Sequence, residues 1–242
     1  MSAKVTPYKN SLLDKKHQVA AMFNSIAWRY DFLNHFLSFG IDRYWRRNAI
    51  RFLEKEKPKL ILDIATGTGD LAIEAMRLNP HKIFGVDISS DMISIGKHKI
   101  RKKNLQEYIE LIEADSENLF FEDNKFDAVT VAFGVRNFDD LNRGLLEMHR
   151  VLKPGGTAVI LEFSKPGNAF VKMLYDFYST KICPGIGKII SKDKAAYTYL
   201  YKSVEAFPDG HDFLNIFSQA GFKNAMIKPL TFGVVSIYTG KK

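Results

Sequence analysis

The sequence predicts an α/β protein centred on an open, mostly parallel sheet that closes on an antiparallel hairpin. Three observations carry that reading. From Lys59 onward short apolar runs alternate with amphipathic ones, the pattern of strands joined by crossover helices. The first apolar run ends in a glycine turn, LDIATGTGDLA (62–72), that passes at once into a helical run, where such sheets bind nucleotides. The chain finishes on two β-like runs, FKNAMIKPL and GVVSIYTG, linked only by Thr231 and Phe232.

The elements follow in order. Between Asp14 and Lys57, Val19, Met22, Phe23 and Ile26 share one helical face, then Phe32, Leu33, Phe36 and Leu37, then Trp45, Ile50 and Leu53. That spacing predicts two or three helices before the sheet, with Trp28 and the phenylalanines assigned mainly to the core. The strands KLILDI, KIFGVDI, IELIEA, FDAVTVAFG and GTAVILEF alternate with helices over 70–78, 90–102 and 139–152. The last of these helices starts acidic at Asp140 and stops at Lys153-Pro154-Gly155-Gly156. Residues 167–208 turn helical, aromatic and Lys-rich around CPGIG and read as an insert. A helix carrying Phe213, Leu214, Ile216 and Phe217 then leads to the hairpin. The expectation is one domain over 1–242: a helical cap (1–57), a cofactor-binding core (58–166), a helical lid (167–208), and a closing helix and hairpin (209–242).

Composition narrows the class. With 46% hydrophobic and 26% charged residues the chain is globular, and no apolar run approaches the roughly 18 residues of a membrane span. MSAKVTPYKN has no apolar block, so a cytoplasmic protein is expected. A lone Cys183 excludes an internal disulfide, and six scattered histidines give no metal-ligand spacing, so no metal is expected. The net charge of +8 is concentrated in two regions: residues 1–57 hold 11 Lys/Arg against 5 Asp/Glu, and 165–204 hold 7 Lys against 2 Asp. Both are also rich in aromatic and aliphatic residues, which suits a solvated face or an anionic lipid surface better than nucleic acid.

The carboxyl ends of the strands bring together Asp63 to Asp70, Asp87, Asp115-Ser116, the run from Ala132 to Asn137, and Glu162. Asp70 sits at the mouth of a helix, where a phosphate would want only N–H donors. Asp87, 18 residues after Gly69, is placed to take both ribose hydroxyls, and Asp115 to accept from an adenine amino group. Such a ring of acids suits S-adenosylmethionine, whose ribose, amino group and sulfonium are donors or cations; the turn at Gly67 and Gly69 then admits its methionine part. Against these roles stand plain structural ones: Asp63 satisfying loop amides, Asp70 capping a helix.

IAWRYDFLNHFLSFGIDRYWR, LDIATGTGD, GVDIS, FGVRNFDD, RVLKPGG, LEFSKP, YTYLYKSVEAFPDG and the final GFKNAMIKPLTFGVVSIYTG closely resemble the ubiquinone/menaquinone biosynthesis C-methyltransferase family, from about Met22 to the end. The resemblance implies the class I methyltransferase fold, with a seven-stranded sheet, and methylation of a prenylated quinol, classically demethylmenaquinol to menaquinol. It places cofactor contacts on Thr68, Asp87 and the pair Asp115-Ser116, where the family commonly has Asn-Ala or Asp-Ala. Ala132 replaces a frequent serine, leaving only backbone or packing contact there.

The donor in such a reaction is already activated, so the protein must align a ring carbon and make it nucleophilic. A quinol hydroxyl, with a pKa of about 10, must lose its proton. Arg136 is the candidate for stabilising the phenolate and Asn137 for orienting the second oxygen; Arg136 could instead pair with Asp139 or Asp140. Candidates for the base are Tyr30-Asp31, Glu162 and Ser164. An isoprenoid tail accounts for an apolar lid, with Lys181, Lys188, Lys192 and Lys194 on anionic headgroups and the protein transiently at the inner face of the membrane. Rival readings fit less well. A nucleic-acid amino-methyltransferase would show Asn/Asp-Pro-Pro-Tyr/Phe where FGVRN stands, a cytosine C5 enzyme needs a Pro-Cys that Cys183 does not form, and Asp70 disfavours an NAD dehydrogenase. A cofactor-binding sensor, a benzoquinol acceptor and the oligomeric state stay open.

Overall fold

The computed structural model describes residues 5–8, 11–178, 180 and 194–242, so Cys183, Lys181, Lys188 and Lys192 lie outside the described residues. Seven strands, β1 (Leu60–Ile64), β2 (Lys82–Asp87), β3 (Ile109–Glu113), β4 (Phe126–Ala132), β5 (Leu152–Phe163), β6 (Lys223–Leu230) and β7 (Val235–Lys241), form one sheet in the order 3-2-1-4-5-7-6. β1 to β5 run parallel, and β7 is antiparallel to both β5 and β6, which is the closing hairpin read from the sequence. Strand order reverses between β1 and β4, and a cleft opens at that point.

Alternation along the strands sorts the core into two layers. Leu62, Ile64, Val129 and Val131 face Leu145, Met148, Phe213 and Phe217, from α5 (Leu141–Val151) and α8 (Gly210–Gln219). Ile61, Ile83, Ala128 and Leu161 face Trp45, Leu71 and Ile93, from α2 (Ile41–Arg51), α3 (Asp70–Ala75) and α4 (Ser90–Lys102). The helix starts are chemically marked: Asp14, Ser89 and Asp140 accept from the N–H three residues on, ahead of α1 (Lys15–Leu37), α4 and α5.

Three local expectations change. The helix over 70–78 ends at Ala75 and tightens into a 3-10 turn, Met76–Leu78, closed by Asn79 at φ 51°. α5 passes into β5 without a loop; Lys153 to Gly156 lie inside the strand as a register shift between Phe126↔Leu152 and Ala128↔Thr157, which Gly155 at φ 80° permits. Trp28, Phe32, Phe36 and Phe39 are exposed, not core. The first three follow one another by four residues and lie on a different side of α1 from the buried Met22, Ile26 and Leu33. The insert contributes α6 (Ala169–Phe177), none of whose residues is buried, and α7 (Lys194–Ala206).

Candidate active site

A cleft at the strand ends is lined by Gly67, Asp87, Asp115, Ser116, Ala132 and Asn137 from the sheet side. Lys16, Phe23 and Tyr30 line it from α1, seven residues apart on one face of that helix.

Asp87 ends β2, and its carboxylate accepts from the Gly67 N–H at 2.8 Å and the Ser89 N–H at 2.9 Å. Burial pushes its pKa up, opposed by those backbone bonds. A carboxylate has about four acceptor positions, so Asp87 keeps capacity for a diol. Gly67, at φ 56°, has nothing within 4 Å of a would-be Cβ, so its backbone faces open space. Asp115 accepts from the Glu117 N–H at 2.9 Å and from Lys16 Nζ at 2.7 Å, and Lys16 also reaches Glu117 at 3.1 Å. α1 is thereby tied across the position assigned to an adenine amino group. Donors to a cationic or hydroxyl-rich ligand are scarce here and acceptors abundant, so the lining fits S-adenosylmethionine.

Thr68, Gly69 and Asp31 lie behind the cleft. Thr68 Oγ1 donates to Asp31 at 2.5 Å, and Lys99 Nζ reaches Asp31 and Asp70 at 2.6 Å each and Thr68 at 2.9 Å. One ammonium therefore links α1, the glycine turn, the first residue of α3, and α4. A Cβ on Gly69 would point at Leu111 and Ile100. Asp70 is no simple cap: Arg46 also approaches it at 3.5 Å, and the Arg46 and Lys99 charges hold its carboxyl below the usual range against the pull of burial. Asp63 accepts hydroxyls rather than loop amides, from Thr66 at 2.6 Å and Thr130 at 2.7 Å; burial raises it to about 6.

Beyond β4 the chain turns at Phe133 (φ 58°) and Gly134, where any Cβ would meet Ala65 Cβ at 2.5 Å, into a 3-10 turn, Val135–Asn137. That turn aims Arg136 inward. Its Nη1 donates to Glu162 at 2.6 Å and to the Phe133 carbonyl at 2.6 Å, so its carboxylate partner is Glu162, neither Asp139 nor Asp140. Arg136 Nε and Asn137 Oδ1 are buried without a hydrogen-bond partner among the described residues. Burial keeps the Glu162 pKa raised despite the arginine. Of the residues named as bases, Tyr30 lines the cleft; its hydroxyl is raised by burial, with Asn34 bonding to it and the Arg136 and Arg46 charges opposing. Asp31 and Glu162 are held in ion pairs, and Ser164 bonds to the Gly233 carbonyl and Ser236.

Lys16 and Tyr199 were not singled out from the sequence. Lys16 sits in a plain KK pair before an amphipathic run; Tyr199 is one of three tyrosines in YTYLY, and its burial is a property of the fold that the sequence does not mark.

The model of the ubiE/COQ5 methyltransferase family matches residues 11–242. The chain is 48% identical over 240 residues to a demethylmenaquinone methyltransferase of Bacteroides fragilis, covering 99% of this chain and 98% of that protein. It is 44% identical over 241 residues to the ubiquinone/menaquinone biosynthesis C-methyltransferase UbiE of Geobacter sulfurreducens, covering 99% and 93%. Among solved structures, a SAM-dependent methyltransferase of Thermotoga maritima superposes with a TM-score of 0.64 at 20% identity, covering 92% of this chain and 99% of that one, which shows the shared fold. On the strength of the family match and these full-length identities, the chain belongs to the ubiE/COQ5 methyltransferase family.

Proposed function

We propose that this chain transfers a methyl group from S-adenosylmethionine to a ring carbon of a prenylated naphthoquinol, turning demethylmenaquinol into menaquinol. The observation that carries the reading is the meeting, in one cleft, of an acceptor-rich end at Asp87 and Asp115 with an end walled by Tyr30 and Asn137 and backed by the buried Arg136. Asp87 would hold the ribose hydroxyls, Asp115 and Ser116 the adenine edge, and the Gly67 backbone the amino-acid part. The cofactor supplies a methyl on a cationic sulfur, so the protein needs no acid to activate a leaving group.

What remains is to favour the ionised acceptor. Arg136 brings a cation to the turn after β4 and Asn137 brings an amide; one well-placed donor of this kind contributes on the order of 3 kcal/mol to the barrier. The Tyr30 phenol, with its pKa raised, stays protonated and donates.

Membrane contact belongs to the same reading. Trp28, Phe32 and Phe36 on α1 and Phe170, Met173 and Phe177 on α6 are exposed, and the two helices meet where the Tyr178 hydroxyl donates to the Leu37 carbonyl at 2.6 Å and Tyr178 lies 6.3 Å from Phe39. Apolar side chains next to the basic segments suit an anionic lipid surface; no described helix is long and apolar enough to cross a membrane.

The test is anaerobic turnover of methyl-labelled S-adenosylmethionine with short-tailed demethylated naphthoquinol and methoxy-benzoquinol. Label on a naphthoquinol ring carbon supports the proposal, and preference for the benzoquinol reassigns the acceptor. Cofactor binding without transfer to either overturns it.

A further inference from the structure

Tyr199 is a large side chain of α7 buried to 2% exposure, and among the described residues its hydroxyl has no hydrogen-bond partner. A phenol in that state is unusual, because buried tyrosine hydroxyls are ordinarily bonded. Its ring belongs to the apolar cluster that α1 forms with Met92. Its helix packs on the turn Val135–Asn137, and Arg136, Glu162 and Asp139 are the charged groups its hydroxyl feels. Two more buried polar atoms without partners, Arg136 Nε and Asn137 Oδ1, lie on that same turn. Three orphaned groups, a donor, an acceptor and a hydroxyl that is both, thus converge on the turn that borders the cleft.

We propose that Tyr199 is a substrate-contacting residue whose hydroxyl bonds a ring oxygen of the acceptor, completing with Arg136 and Asn137 the polar frame that fixes which ring carbon faces the methyl donor. The inference rests on the quinol reading above and adds to it a residue from the insert. It gives α7 a role in the site: the helix carries one of the groups that recognise the ring.

The test is Tyr199→Phe, which keeps the ring and removes the oxygen. A hydroxyl bonded within the protein would be missed by the fold, and one reserved for substrate would not. The expected result is an unliganded melting temperature equal to or above that of the unaltered protein and an unchanged Kd for S-adenosylmethionine by calorimetry. With demethylated naphthoquinol, kcat falls 10- to 100-fold. Affinity for 2,3-dimethyl-1,4-naphthoquinol, which has no free quinol-ring carbon to methylate and is read by thermal shift under nitrogen, falls five- to tenfold. Turnover and probe affinity within twofold of the unaltered protein, or a lowered unliganded melting temperature, overturns the assignment while leaving the quinol reading intact. Failure of the unaltered protein to methylate or bind any quinol overturns both.

Discussion

Replacing Arg136 by Met strands the Glu162 carboxylate, which is 0% exposed and 2.6 Å from Arg136 Nη1. What remains to Glu162 is its own neighbouring N–H of Phe163 at 2.8 Å and the Arg136 backbone N–H at 3.4 Å. Breaking a buried pair from one side costs about 3–5 kcal/mol, and a chain of this length loses about 2–4 °C per kcal/mol. The single variant should therefore melt roughly 10 °C lower. Glu162 already has a raised folded pKa, and losing the cation raises it further. A carboxyl raised in the folded state contributes stability at low pH that is lost as pH climbs through its folded pKa. The penalty should accordingly be larger at pH 8 than at pH 5. Arg136→Met with Glu162→Met removes both charges, and buried pairs exchanged for apolar residues are often neutral or better; stability should return to within about 1–2 kcal/mol of the starting protein, with catalysis still absent. Urea unfolding at both pH values reads all three proteins. A single variant as stable as the parent, or a double variant no better than the single, would refute the reasoning.

Other perturbations probe the cleft and its support. On the proposed cofactor role of Asp87, Asp87→Asn weakens a charge-assisted contact to the ribose worth about 1.5–3 kcal/mol, so calorimetry should find S-adenosylmethionine bound about 10- to 100-fold more weakly. Asp63, raised by burial from 3.8 to about 6, adds stability below its unfolded pKa that is lost as pH rises through about 6; Asp63→Asn should outlast the parent in urea by about 2–3 kcal/mol at pH 8 and match it near pH 4. Lys16→Met releases Asp115 from a half-exposed pair worth no more than about 1 kcal/mol, so cofactor affinity by the same calorimetry should rise by at most about fivefold. Trp28→Ser with Phe32→Ser should cut sedimentation with anionic liposomes at least tenfold while leaving turnover of a short-tailed quinol intact.

The sheet is legible because its signals are local: alternation, a glycine turn, and a hairpin joined by Thr231 and Phe232 fix strand identity, the parallel core and the antiparallel close without tertiary knowledge. Asp87 and Asp115 could be placed for the same reason, since a strand end is a position in the chain. Pairings across the fold were not legible. No spacing in the chain announces that Thr68 gives its hydroxyl to Asp31, 37 residues away. Arg136 finds Glu162 across two strands. Helical periodicity also leaves the sides of α1 ambiguous, because apolar residues occupy more of its circumference than the core covers; Phe32 and Phe36 read as one stripe with Leu33, yet Leu33 is buried and the two phenylalanines face outward. Tyr199 carries no sequence signal, since its distinction is a missing partner.

α1 is an unbroken rod of 23 residues, about 34 Å long at 1.5 Å per residue. Lys99 grips it at Asp31, which makes that point a fulcrum with unequal arms: about 22 Å to Lys16 and about 8 Å to Phe36. A tilt of about 5° that shifts the Phe36 end by less than about 1 Å swings Lys16 by about 2 Å, enough to part it from Asp115. The short arm carries exposed aromatic rings and the long arm closes the cleft. A displacement applied at the exposed aromatic end is therefore magnified roughly threefold at Lys16, with the force reduced in the same ratio, so a small shift at the outer surface is read as a larger one over Asp115.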